Sequence, residues 1–200
     1  MGAGRRLVAS ALWTAVCVAA ALMVPGIAEA ATNLVETAAG WEQFTGWLHA
    51  SIGDHPNAIA HYRAALELAE DVGDRDMVST ALSLRGHVAW MAGNTAAMIG
   101  LSQAAQREAH RITRTVLALT VQQEARGHAI EGDHYRMEAG LDRAATLITG
   151  ANGQPDSQYF YNSAYLEMQR GLAYRLAATS AAQRPRPLPG GEQLPPKRYA

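Results

Sequence analysis

The feature that most constrains the fold is a sequence repeat with a period of about 40 residues. Glycines recur at Gly53, Gly93 and Gly132, at intervals of 40 and 39 residues. Three further columns of small or capping residues keep the same register: Gly46, Gly86 and Ala125; Asp54, Asn94 and Asp133; Ala65, Ala105 and Ala144. Self-similarity at a period of this length is typical of stacked helix pairs. The sequence therefore predicts an all-α protein built from repeated units.

Each repeat contains a glycine followed directly by Asp or Asn, and this pair predicts a tight turn between two helices. Gly53 can adopt a positive φ without strain, so it suits the residue that ends a helix. The side chain of Asp54 can then accept from a free N–H group of the next helix. Pro56 fits the first turn of that helix, where its missing N–H has no role.

The same stretch contains Ser51, Asp54 and His55, which together suggest a catalytic triad. A triad needs its members to converge in space beside an oxyanion hole, and the sequence has no G-x-S-x-G motif. The middle repeat carries Asn94 in the place of Asp54. Asn preserves a helix cap but would not preserve catalysis. We therefore expect a helix joint here, no catalytic residues, and a protein that is not an enzyme.

The repeats resemble the tetratricopeptide repeat. In that family a small residue lies inside the first helix, a glycine closes it, and small and bulky residues alternate on the second helix. The first repeat matches at Gly46, Gly53, Ala58, Tyr62 and Ala65. The second matches at Gly86, Gly93 and Ala105 but has Met98 and Ser102 at the other two places, and the third has Ala125, Gly132, Met137, Leu141 and Ala144. The period exceeds the family's usual value of about 34, and the terminal prolines are missing. The extra residues fall between units, at residues 70–77 and 110–115. Longer spacing of this kind is similar to the C-terminal sensor regions of bacterial helix-turn-helix transcription regulators, here without the DNA-binding half.

This resemblance implies a right-handed α-solenoid of helix-turn-helix pairs with about three and a half repeats, across residues 35–181. Residues 159–181 would supply the last half unit, with Gly171 at the small position. Residues 182–200 hold many prolines and glycines, which predicts a disordered tail.

The resemblance also implies a concave groove lined by the first helix of each pair. By register, the residues that face this groove are Gln43, Trp47, Ser51, Ser83, His87, Trp90, Met91, Gln122 and Arg126. Trp and Arg are enriched in binding hot spots, so a protein or peptide partner is expected there. The alternative is that Trp47 and Trp90 fill gaps between alanine-rich helices.

Other site types have little support in the sequence. The histidines lack the spacing of a metal motif, the single cysteine excludes multi-cysteine zinc sites, and no phosphate-binding glycine loop occurs. The net charge of −1 gives no general attraction to nucleic acid. We expect no cofactor, no metal and no direct nucleic-acid binding.

The N-terminus has the order of parts found in secretory signal peptides. Arg5 and Arg6 precede an uncharged apolar stretch, residues 7–24, and small residues follow up to Ala30. Residues 1–30 are therefore interpreted as a signal peptide or an apolar membrane tether. The protein would then be exported or tethered to a membrane. The alternatives are a buried first helix and a cytoplasmic protein. The sequence does not fix the oligomeric state, although arrays without a polar capping helix often self-associate.

Export predicts a mature chain that begins at Ala31, because signal peptidase cleaves after small residues such as Ala30. N-terminal sequencing of the protein purified from its native host measures this directly. An intact Met1 or Gly2 would contradict cleavage and would favour the tether or the cytoplasmic alternative.

Overall fold

Every regular element of the computed structural model, which describes residues 25–149 and 161–183, is a helix. The helices are α1 (Pro25–Ser51), α2 (His55–Val72), α3 (Arg75–Met91), α4 (Thr95–Ala105), α5 (Arg114–Glu131), α6 (His134–Thr149) and α7 (Ser163–Gln183). The predicted all-α class is confirmed for this part of the chain.

The three glycine joints have the predicted geometry. Gly53, Gly93 and Gly132 adopt φ values of 79°, 76° and 72°, in the left-handed region that favours glycine. Asp54 and Asn94 then cap the helices that follow, accepting from the backbone N–H groups of Asn57 and Ala97. The sequence therefore identified the turns inside the three pairs correctly.

A fourth joint of the same kind lies where the sequence predicted extra residues between units. Helix α2 continues to Val72, Gly73 takes a φ of 75°, and Asp74 accepts from the N–H of Met77. The stretch 70–77 is thus mostly helical, and only a two-residue turn separates α2 from α3. By contrast, the second predicted insertion, at residues 110–115, lies in the irregular connection between α4 and α5 and at the start of α5.

The helices pack in chain order. The pairs α1/α2, α3/α4 and α5/α6 have extensive contacts, and further contacts join α3 to α5 and α5 to α7. Helix α5 lies at the centre of this arrangement, and thirteen of its 18 residues are buried. Its alanines contact side chains of both α6 and α7, in a core that includes Ala125, Ala129, Met137, Leu141, Ala173 and Ala177.

Two of the repeated small residues lie at very close helix contacts. A Cβ placed on Gly46 would lie 2.7 Å from the ring of Tyr62, and one placed on Gly86 would lie 2.9 Å from the amide nitrogen of Gln123. A methyl group at either position would overlap its neighbour. The predicted small position at Gly171 is wrong, since that glycine is exposed and has open space around it.

The described helices also bear on the predicted domain limits. Helix α1 starts at Pro25 and passes without a break through Ala30 and Ala31, while α7 ends at Gln183. The apolar residues 7–24 and nearly all of the proline-rich tail, as well as the loop at 150–160, lie outside the described residues. None of the described helices has the length and hydropathy needed to cross a membrane.

The contact at Gly46 predicts that Gly46→Ala destabilises the protein by about 1–3 kcal/mol, because the new methyl group must displace the Tyr62 ring. Gly40 lies on the same helix, and a Cβ added there would have no neighbour within 4 Å. Gly40→Ala should therefore be neutral or stabilising by up to about 1 kcal/mol, as expected from helix propensity. Urea unfolding of both variants measures the difference, and equal stabilities would contradict the close contact.

Candidate functional site

The most distinctive polar cluster surrounds Arg126, between α3, α5 and α7. The Arg126 side chain is only 4% exposed. Its Nη2 donates to Nδ1 of His87 at 3.0 Å and to Oε1 of Gln123 at 3.3 Å. Its Nη1 donates to Oε1 of Gln169 at 3.4 Å. One guanidinium group therefore joins three helices through neutral acceptors.

Trp90 completes this cluster on the α3 side. The Cζ atom of Arg126 lies 4.3 Å from the centre of the Trp90 ring, which is the geometry of a cation–π contact. The His87 ring lies 5.1 Å from the same indole. Trp90 is partly exposed, so one part of its ring is held by Arg126 and His87 while another remains open to solvent.

The positive charge of Arg126 has no carboxylate partner among the described residues. Its Nε atom is buried and makes no hydrogen bond. Burial lowers the pKa of Arg126 to about 10, which still leaves the group charged at neutral pH. A buried charge with only neutral partners is unusual, because desolvation of an ion is costly without a counterion.

The same surroundings keep His87 neutral. Burial first, and the charge of Arg126 second, lower the pKa of His87 to about 4. Because Nδ1 accepts from Arg126, the ring proton of the neutral imidazole belongs on Nε2. His87 therefore acts as a hydrogen-bond acceptor that positions Arg126 and Trp90.

The structure brings part of the predicted groove together and separates the rest. His87, Trp90 and Arg126 contact one another, and Gln122 lies within 3.5 Å of the same Gln169. The exposed members are Trp47, Ser51 and Met91; Gln43, His87 and Trp90 are partly buried; Ser83, Gln122 and Arg126 are buried. The last three are therefore not on an exposed surface, contrary to the prediction from repeat register.

Trp47 lies apart from the Arg126 cluster, in a row of aromatic side chains on α1. Its ring stacks on Phe44 at 5.8 Å between centroids, and Phe44 makes an edge contact with Trp41 at 6.2 Å. Trp47 is 48% exposed. It is therefore not a gap-filling core residue.

Sequence reasoning missed two residues of the cluster, Gln123 and Gln169. The amide of Gln123 also donates to the backbone carbonyl of Ser83, which ties α5 to α3. A neutral amide on a helix belongs to no motif, so only its burial reveals the role. The nearest sequence signal was the neighbouring pair Gln122 and Gln123 on a helix with few charges.

Asp54 and Ser51, two members of the candidate triad in the first repeat, make structural hydrogen bonds. Asp54 accepts from the amide Nδ2 of Asn57 at 2.7 Å and contacts Nδ1 of His49 at 2.9 Å. These interactions, first that with Asn57, lower the pKa of Asp54. The Ser51 hydroxyl donates to the carbonyl of Trp47 in its own helix. Ser51, Asp54 and His55 therefore show no mutual relay in which the serine is activated.

A pair of stacked histidines lies beside this joint. His49 and His61 stack with their ring centres 5.1 Å apart, and Nδ1 of His61 lies 2.7 Å from a carboxylate oxygen of Glu42. Each imidazole is thus paired with its own carboxylate. Among the described residues, no group of three or more His, Cys, Asp or Glu side chains has an arrangement that could hold a metal ion.

Comparisons with protein families, curated proteins and solved structures give no match for this chain. The site must therefore be interpreted from its own geometry.

The neutral state of His87 predicts a loss of stability in mild acid. The unfolded chain takes up a proton near the ordinary pKa of 6.5, whereas the folded protein does so only near 4. The contribution of neutral His87 to the free energy of unfolding is therefore complete above pH 6.5 and is lost as the pH falls towards 4. For a partly exposed ring, this loss is roughly 2 kcal/mol.

His87→Gln is the matched variant, because its amide oxygen can still accept from Arg126 but does not titrate. Urea unfolding between pH 7 and pH 4.5 should show a smaller loss in this variant than in the wild type. Parallel pH profiles would contradict a buried neutral His87.

Proposed function

We propose that this chain is a non-catalytic helical-repeat scaffold that binds a protein or peptide partner. The proposed architecture is a right-handed, tetratricopeptide-like α-solenoid of about three and a half helix pairs. It is supported by the packing of the helices in chain order and by the glycine joints at matched positions in three pairs. The close contacts at Gly46 and Gly86 agree with small residues at the same place in successive first helices.

The observation that carries the binding proposal is the partly exposed indole of Trp90. Arg126 and His87 fix one side of this ring, so its exposed part is held rigid in advance of binding. Rigid aromatic side chains lose little entropy when a partner covers them, which is why they dominate binding energies. Trp47 and Met91 provide further exposed apolar surface on the first helices.

The proposed roles of the polar residues follow from their burial. Arg126 is too deeply buried to form a broad contact with a partner, so its role is to position Trp90. Gln122 and Ser83 lie under the same surface. In this proposal Gln43 and Ser51 border Trp47 on α1 and form a polar rim. An enzymatic role is not proposed, and neither a cofactor nor direct nucleic-acid binding is part of the mechanism.

The second candidate is a cytoplasmic ligand-sensing module related to the C-terminal regions of transcription regulators. The uncompensated charge of Arg126 favours it, because a small anion would supply the missing counterion. The first candidate is compatible with export or with a membrane tether through residues 7–24. N-terminal sequencing separates export with cleavage from the tethered and cytoplasmic locations.

The scaffold proposal predicts that Trp47→Ala and Trp90→Ala weaken peptide binding by tenfold or more, as expected for buried aromatic anchors. Peptides selected from a random display library on the full chain provide the probe, and fluorescence anisotropy gives the dissociation constants. Tyr135→Ala is the control, since Tyr135 is a large, 84% exposed aromatic side chain on another helix, α6.

Circular dichroism should first show that both tryptophan variants retain the wild-type helix content. Unchanged affinities in folded variants would remove Trp47 and Trp90 from the mechanism. Failure to select any peptide, combined with a rise in melting temperature on adding small carboxylates, would favour the ligand-sensing candidate.

A further inference from the structure

Helix α1 carries a long apolar surface that no described part of the chain covers. This surface, which we call the α1 seam, includes Ile27, Leu34, Trp41, Phe44 and Leu48 of α1 and Ile52 in the turn that follows it. The exposed fractions are 49% at Ile27, 70% at Leu34, 65% at Trp41 and 80% at Ile52. Contiguous apolar surface of this extent marks an interaction site in soluble proteins.

The spacing of the α1 seam indicates that its partner is another helix. Ile27, Leu34, Trp41 and Leu48 follow one another at intervals of seven residues, which is the period of the apolar a positions in a coiled coil. The corresponding d positions are Ala30, Thr37, Phe44 and Ser51. All eight positions are uncharged. The opposite face of α1 carries Ala39, Gly46 and Ala50, which pack towards α2 and α3.

The length of α1 gives a second, independent indication. At 27 residues it is the longest of the described helices, and residues 26–34 are exposed or only partly buried throughout. A helix of two or three turns is marginally stable in water without packing. A partner helix along the seam would supply packing at the C-terminal side of this stretch, from Leu34 onward.

Size and charge favour a second copy of the same chain. From the exposed fractions, the five side chains from Leu34 to Ile52 offer roughly 600 Å² per copy, so that two copies would bury roughly 1,200 Å², at the lower end of the range of a stable interface. The acidic residues of α1 are Glu29, Glu36 and Glu42, and all lie outside the a, d, e and g positions. Two copies of α1 can therefore meet without repulsion between like charges.

We propose that two copies of this chain form an antiparallel dimer through their α1 seams. With the two-fold axis between Trp41 and Phe44, each Trp41 faces the Phe44 of the other copy. Leu48 then faces Thr37, and Leu34 faces Ser51, so that large side chains meet small ones. Asn33 of each α1 then lies opposite Ile52 of the other copy.

The α1 seam adjoins the proposed peptide groove, because Ser51 is both a d position of the seam and a groove residue, and the groove residue Trp47 stacks on Phe44 of the seam. The proposed dimer contacts lie at residues 34–52, which follow Ala31, so they are present in both the full-length and the cleaved chain. Sedimentation equilibrium of the full 200-residue chain, in density-matched detergent, should give twice the monomer mass of 21.4 kDa. The double variant Trp41→Glu, Leu48→Glu should be monomeric with unchanged helix content, while Tyr135→Glu remains dimeric.

Two results would overturn the dimer. One is a monomeric wild-type chain at protein concentrations of tens of micromolar. The other is a double variant that is still dimeric, which would place self-association elsewhere, for example in the apolar residues 7–24.

Disulfide trapping tests the orientation in a Cys17→Ala background, which removes the only natural cysteine. The antiparallel arrangement predicts that a mixture of Leu34→Cys and Ser51→Cys chains forms a covalent heterodimer. Leu34→Cys alone should remain uncrosslinked under the same oxidation. Crosslinking of Leu34→Cys with itself, and none in the mixture, would establish a parallel pair and overturn the proposed orientation.

Discussion

The polar cluster around Arg126 depends on one constraint, which is that residue 86 is a glycine and has no Cβ. Only a hydrogen at this position lets the amide of Gln123 approach α3 and donate to the carbonyl of Ser83. The amide oxygen of Gln123 then accepts from Arg126, and the guanidinium in turn holds Trp90. The close approach of α5 to the α3 backbone thus fixes the orientation of the partly exposed Trp90 ring through two intermediate side chains, Gln123 and Arg126. Since both intermediates are buried, their geometry is well determined by packing as well as by hydrogen bonds.

The sequence predicted the joints of the fold well because their chemistry is local. A glycine with a positive φ followed by a capping Asp or Asn requires only adjacent residues, and Gly53, Gly93 and Gly132 all behave as expected. The joint at Gly73 was missed because it lies between repeats and so belongs to none of the aligned columns. Its Gly73–Asp74 pair carries the same local signal, which would have been recognised without the assumption of a loop there.

The candidate site was predicted less well because burial is a property of the whole assembly. Repeat register placed Arg126 on a groove surface, whereas the central position of α5 between α3, α6 and α7 encloses it. Gln169 could not be found at all from local sequence, since its role arises only when α7 packs on α5. Trp47 differs, because the contacts of α1 among the described helices are mainly with α2, and Trp47 remains 48% exposed. A helix at the edge of an array is therefore easier to interpret from sequence than one at its centre.

The near identity of the four glycine turns has a consequence for how this architecture could change over evolutionary time. Their φ values span only 72° to 79°, so each turn redirects the chain in much the same way, whether it lies within a pair or between pairs. The path of the chain at these joints is then set by a two-residue element and is largely independent of the helices it connects. A helix pair bounded by such turns can be duplicated or deleted as a genetic unit without a new connecting geometry.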